Sequence, residues 1–125
     1  MSCNNSDTVG ETFEGRFACV VDGVGAFGRV VLRKSALGDG ISLPDDTSPT
    51  RPWILGGVEG IRLAASRAGR NGDFEVVEIE TSNADTSDWS MRCAAFLAAW
   101  KAFDKDVGIL KFDPARRMFA PSDES

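Results

Sequence analysis

Residues 20–34, VVDGVGAFGRVVLRK, carry Gly23, Gly25 and Gly28 in the spacing G-x-G-x-x-G directly after an apolar run. A dinucleotide site needs those glycines between a strand and the start of a helix, so that backbone amides and the helix dipole face a pyrophosphate. It also needs an acidic residue about 20 positions further on. Gly28 is succeeded by Arg29-Val30-Val31-Leu32-Arg33-Lys34, β-branched and partly alternating, the pattern of a second strand. The acids near the required distance, Asp45 and Asp46, fall in the Pro- and Thr-rich stretch LPDDTSPTRP. The glycines therefore read as the connection between two antiparallel strands. The turn is expected at 22–25, after an extended run Thr12–Val21 that is one strand or two with a break at Gly15, and before a strand from about Ala26 to Ala36.

Beyond this hairpin the chain reads as one domain over 11–113, with polar tails at 1–10 and 114–125. Ile41–Leu43 is a short edge segment in a long loop. Pro52 suits a helix start, and Ile54, Val58, Ile61, Ala65 and Ala68 recur at three- and four-residue spacing up to Gly69 at the C-cap. Gly56, Gly57 and Gly60 inside that helix each cost about 1 kcal/mol relative to alanine, which points to close packing against a neighbour or to an irregular first turn. GDFEVVEIET is a β-branched strand. Ser87 caps a helix over 88–103 that is apolar around so much of its circumference that it must be largely buried. VGILKF, 107–112, is a last strand. The order predicts an α+β two-layer sandwich, a mixed sheet of about four strands with two helices on one face.

Composition narrows the chemistry. The 125 residues are 42% apolar and 26% charged, with a net charge of −5, so the whole-molecule field repels nucleic acid unless basic residues are segregated. There is no histidine, which removes the commonest general base and metal ligand. Cys3, Cys19 and Cys93 fit neither a disulfide framework nor a zinc ribbon, and Cys93 reads as a packed core thiol. Glu75, Glu78 and Glu80 read as solvent-facing strand residues rather than catalytic carboxylates. No metal, cofactor, nucleotide or catalytic constellation is expected. The N-terminal residues lack a signal-peptide pattern and no run is long and apolar enough to span a bilayer, so a cytoplasmic protein without membrane association is expected.

The order and spacing of these motifs resemble domain IV of elongation factor G and of related translational GTPases. The match begins at Glu14-Gly15 and runs through DGVGAFGRVVL. It resumes at WILGGVEGIRLAA and AGRNGDFEVVEIET, and ends in TSDWSMRCAAFLAAWKAF with Ala99-Trp100-Lys101. The resemblance implies a ribosomal-protein-like fold with a left-handed β-α-β crossover, against the usual hand. It implies a stand-alone, divergent module whose relatives mimic a tRNA anticodon arm at the small ribosomal subunit. Their GTPase machinery is absent, since no G-x-x-x-x-G-K-[ST] occurs.

Such a role wants basic side chains along the hairpin and polar residues at two tip loops, because phosphate contacts supply most of the affinity. The departures from that pattern are Phe17, Cys19, Val24 and Ala26 around the turn and Asn83, Asp85 and Asp88 at the second loop, with Asn83 about where the family often places a histidine. Two non-catalytic readings are open. In the first, Asp22 to Phe27 and Ser82 to Trp89 contact the ribosome or its RNA, helped by Arg29 and Arg33, with Trp89 available to stack on bases. In the second, RNA binding is lost and the apolar turn docks a protein partner. A positive potential around the tips supports the first, a neutral or negative one the second.

Overall fold

The computed structural model describes residues 11–21, 23–34, 40–43, 52–70, 72–82, 85–105 and 107–121. The predicted N-terminal tail and two of the nominated tip residues, Asp22 and Asn83, lie outside them.

Strands β1 (Thr12–Val21) and β2 (Val24–Lys34) form the hairpin. They pair antiparallel without interruption from Thr12↔Arg33 to Val21↔Val24. Val24 and Gly25, expected in a turn over 22–25, are therefore part of β2, which begins at Val24 and not at Ala26. Gly23, between the strands, has φ +80°, which glycine adopts without steric penalty. Of the two readings at Gly15, one strand or two with a break, the structure has the single strand, since Gly15 pairs with Val30.

A two-residue strand β3 (Ile41–Ser42) precedes helix α1 (Pro52–Ala68), and β4 (Phe74–Glu80) comes after it. The sheet order is β1-β2-β4-β3, with β4 antiparallel to β2 and parallel to β3. A bulge between Val31 and Leu32 shifts the β2–β4 register. The mixed four-stranded sheet with its helices on one side is the expected α+β architecture. Along β2, Ala26, Gly28, Val30 and Leu32 point into the core while Phe27, Arg29 and Arg33 alternate onto the open face.

Helix α2 (Asp88–Ala102) is the centre of the molecule. Ser87 caps it, its hydroxyl accepting from Ser90 N–H at 3.3 Å while the Ser90 hydroxyl accepts from Ser87 N–H at 2.8 Å, a capping box with serine in place of the usual glutamate. Asp88 in its first turn and Lys101 in its last suit the helix dipole. Met91, Cys93, Ala94, Ala95, Phe96, Ala98 and Ala99 are all buried. Two pairs of glycines let other backbones approach it. A Cβ on Gly15 would lie 1.9 Å from the Ala94 carbonyl oxygen, and one on Gly28 2.8 Å from Met91 Sδ. From the other side, a Cβ on Gly56 would lie 2.0 Å from the Asp88 oxygen and one on Gly60 2.2 Å from the Arg92 oxygen. The helix glycines predicted to mark close packing mark this contact, while Gly57 meets only Ala95 Cβ at 4.0 Å.

The C-terminal region departs from expectation. Residues 107–109 form a single 3-10 turn, followed by β5 (Leu110–Asp113) and β6 (Met118–Pro121), which pair as an antiparallel hairpin. The stretch after 113, expected as a tail, is therefore ordered as far as Pro121. Its anchor is aromatic. Phe112 and Phe119 lie 5.1 and 5.7 Å from the Phe17 ring, Phe119 stacks on Phe96 at 6.4 Å, and Phe112 stacks on Trp89 at 6.3 Å. The Arg117 carbonyl accepts from Arg92 at 3.2 Å and from Cys93 Sγ at 3.4 Å, tying the hairpin to α2.

Candidate functional site

The helix-free face of the sheet carries the charges named as an RNA surface, but Arg29 and Arg33, the two named there, are engaged with carboxylates. Cross-strand register sets Arg29 opposite Glu80, and Arg33 opposite Glu75. The Arg29 guanidinium bonds Glu14, bonds Glu78 at 2.8 Å and lies 3.7 Å from Glu80. Arg33 pairs with Glu75 at 3.0 Å. The Arg29 hydrogen bond and charge hold the Glu14 carboxyl below the usual carboxylate range, and the Glu14 and Glu78 bonds push the Arg29 guanidinium still higher. A phosphate approaching Arg29 must displace a carboxylate already bound there.

The far end of the hairpin is different in kind. Val20 and Val24 flank the turn at 71% and 62% exposure, more open than any other large apolar side chain among the described residues. Ala26, nominated with the turn, belongs instead to the core at 4% exposure, because the shorter turn puts it on the inward phase of β2. Phe27 is half-buried on the open face, its ring 5.6 Å from the Arg16 guanidinium.

The second tip loop is laced to β2. Phe27 N–H donates to the Asp85 carbonyl at 2.9 Å, and the Phe27 carbonyl accepts from Thr86 Oγ1 and Ser90 Oγ, both at 2.9 Å. The Asp85 carboxylate turns toward Gly25, where an added Cβ would sit 3.0 Å from Oδ1. Gly23, Gly25 and Gly28 thus do three separate things: they make a turn, leave room for a carboxylate and admit a helix. Trp89, nominated as a stacking platform, is occupied by the edge-on Phe17 ring at 5.7 Å, by Phe112, and by the Arg117 guanidinium at 5.2 Å.

Between hairpin and loop lies an open groove of ≈ 450 Å³, lined among others by Val20, Gly25, Phe27, Glu80, Ser82 and Asp85. Val24 and Asp85 were legible as tip residues, while Val20 and Glu80 were not singled out. Val20 was readable from the paired valines before Asp-Gly, but Glu80 joins the tip only through the β2–β4 register. Among the described residues no three histidine, cysteine or acidic side chains gather as a metal site. Burial pushes the Cys93 thiol up to about 12 and raises Cys19 as well, so neither is an activated nucleophile. No helix of the described residues is long and apolar enough to cross a membrane.

No protein-family model matches the chain, and no curated protein does. Among solved structures it is similar to the crystal structure of a protein from Thermus thermophilus, with a TM-score of 0.57 and 22% identity. The match covers 72% of this chain and 15% of that one, and at this identity it establishes a shared fold alone. The chain thus spans only a small part of the length of that protein.

Proposed function

We propose that this protein is a non-catalytic binding module of the elongation-factor-G domain IV type that docks a protein partner through its hairpin tip. The observation that carries the reading is the exposed Val20 in the wall of a groove whose charged lining residues are carboxylates, with Val24 exposed on the opposite face of the same hairpin tip. Burying a valine is worth on the order of 1.5 kcal/mol or more, so a partner that closes over the tip gains on either face of it. The ribosomal-RNA role expected of the family pattern has less support, because Arg29 and Arg33 are neutralised by Glu14, Glu75, Glu78 and Glu80. The likeness to a segment of a longer chain agrees with a module that works beside other domains.

The test places a photo-crosslinking amino acid at Val24, with a second at the exposed Arg62 on α1 as control. A saturable protein adduct from position 24 alone, resistant to ribonuclease and lost with Val20→Asp, is the expected result. Adducts removed by ribonuclease would overturn the reading. So would co-sedimentation with small ribosomal subunits that weakens steeply with salt and on Arg29→Ala, because that is the signature of phosphate contacts.

A further inference from the structure

The tip groove has a chemical asymmetry that narrows its occupant. Asp85 and Glu80 supply carboxylates, Thr81 and Ser82 supply hydroxyls, and Val20 and Phe27 supply the apolar wall. Among the described residues no cationic side chain lines it. The Asp85 carboxylate takes no hydrogen bond or ion pair from a described residue, and the nearby Arg29 already faces three glutamates. Arg16 stands over the Phe27 ring, and the Asp85 and Glu80 side of the groove is left to a ligand that brings positive charge along with apolar surface, which disfavours a phosphate there and favours a basic peptide.

The backbone adds a second requirement. The β2–β4 ladder ends at Arg29↔Glu80, and Asp85 continues it only as far as Phe27, whose N–H it accepts. Strand alternation turns the N–H and C=O of Gly25 to the same side as those of Phe27, and no described residue extends the ladder there. An extended segment could pair at that position, in the manner of peptides that add to an open strand. Gly25 has no side chain to obstruct it.

We infer that the groove takes an extended segment of the partner protein carrying a lysine or arginine beside a small apolar residue, with the cation answering Asp85 and Glu80 and the apolar residue lying on Val20 and Phe27. The inference rests on the protein-docking reading above.

Amide chemical shifts of the full-length protein, titrated with three synthetic pentapeptides, test it. The probes are acetylated and amidated Val-Lys-Val-Arg-Val, Val-Glu-Val-Glu-Val and Val-Ser-Val-Ser-Val, with spermine as a non-peptide cation. The expected result is saturable movement of the Gly25, Phe27 and Asp85 amides with the basic peptide. Affinity should be about tenfold weaker with the neutral peptide and with Asp85→Asn, the scale of one lost charge-assisted contact. Glu75→Gln, on the same sheet but away from the groove, should leave it unchanged. Equal binding of the neutral peptide at these amides would overturn the charge assignment while leaving tip docking intact. Equal action by spermine would show a bare electrostatic patch and overturn the peptide assignment. Shifts confined to other surfaces, or none with any peptide, would overturn the inference, and the Val24 crosslinking result decides separately whether tip docking survives.

Discussion

The core around α2 and the hairpin tip use glycine for opposite purposes. Around α2, Gly15, Gly56 and Gly60 face backbone, and the space they leave is filled by Ala94, Asp88 and Arg92 carbonyls that have nowhere to move. At the tip, Gly25 faces the carboxylate of Asp85, which has free rotation, and Gly23 faces open solvent. The first arrangement locks elements together, while the second shapes a surface that stays available. Glycine position alone therefore says little about function. What decides is whether the neighbour is rigid.

Substitutions at the rigid end should break the comparison most strongly. Gly60→Ala drives a Cβ into the Arg92 carbonyl, and urea denaturation should show a loss of about 3 kcal/mol, the upper part of the overpacking range, despite the better helix propensity of alanine. Removing an aromatic anchor comes next. Phe119→Ala should cost about 2 kcal/mol, less than a fully buried phenylalanine because the ring is only half-buried. It should also open the route to Cys93, so that this thiol, silent toward a disulfide reagent in the native protein, becomes reactive.

Smaller effects should come from the open face. Arg29→Ala should lower stability by about 1 kcal/mol, since the glutamates it joins are half-exposed and solvent-screened. The pH dependence has a defined sign. Because the native Glu14 pKa is depressed, its contribution is present above the ordinary carboxylate pKa and lost as pH falls through the lower native value, and this acid limb should flatten in Arg29→Ala. Cys93 behaves in the opposite sense. Its raised pKa gives a contribution that is complete below about 9 and lost as pH rises toward about 12, a limb that Cys93→Ala should remove. Gly57→Ala should stabilise by about 0.5–1 kcal/mol, because its neighbour Ala95 sits at ordinary contact distance and the helix gains a better former. If Gly57→Ala proves as damaging as Gly60→Ala, the argument from neighbour rigidity fails.

Local chemistry made much of this legible. The hairpin's glycine-bearing turn, the Ser87 cap, the Gly69 stop and the buried character of α2 all depend on residues close in sequence. The glycines of α1 announced a tight contact before its partner was known. What sequence did not disclose depends on register. Glu14, Glu78 and Glu80 meet Arg29 only because β2 lies between β1 and β4, and the bulge at Val31 sets which glutamates arrive. Ala26 changed from surface to core when the turn shortened by two residues. Strand β6 escaped notice because Met118 and Phe119 stand in the otherwise polar run DPARRMFAPSDES, too short to show a period. Its order comes from Phe17 and Phe96, distant in the chain.

The central position of α2 has a consequence for the order of assembly during synthesis. The hairpin strands and α1 each press glycine backbone onto residues 88–102, so the earlier elements have no surface to close against until that segment is made. A growing chain that stops short of α2 presents a long, open β-hairpin and a glycine-weakened helix, and collapse should come in one step once α2 is complete. Amide protons of α2 should then be the last to exchange with solvent, opening only when the whole molecule does.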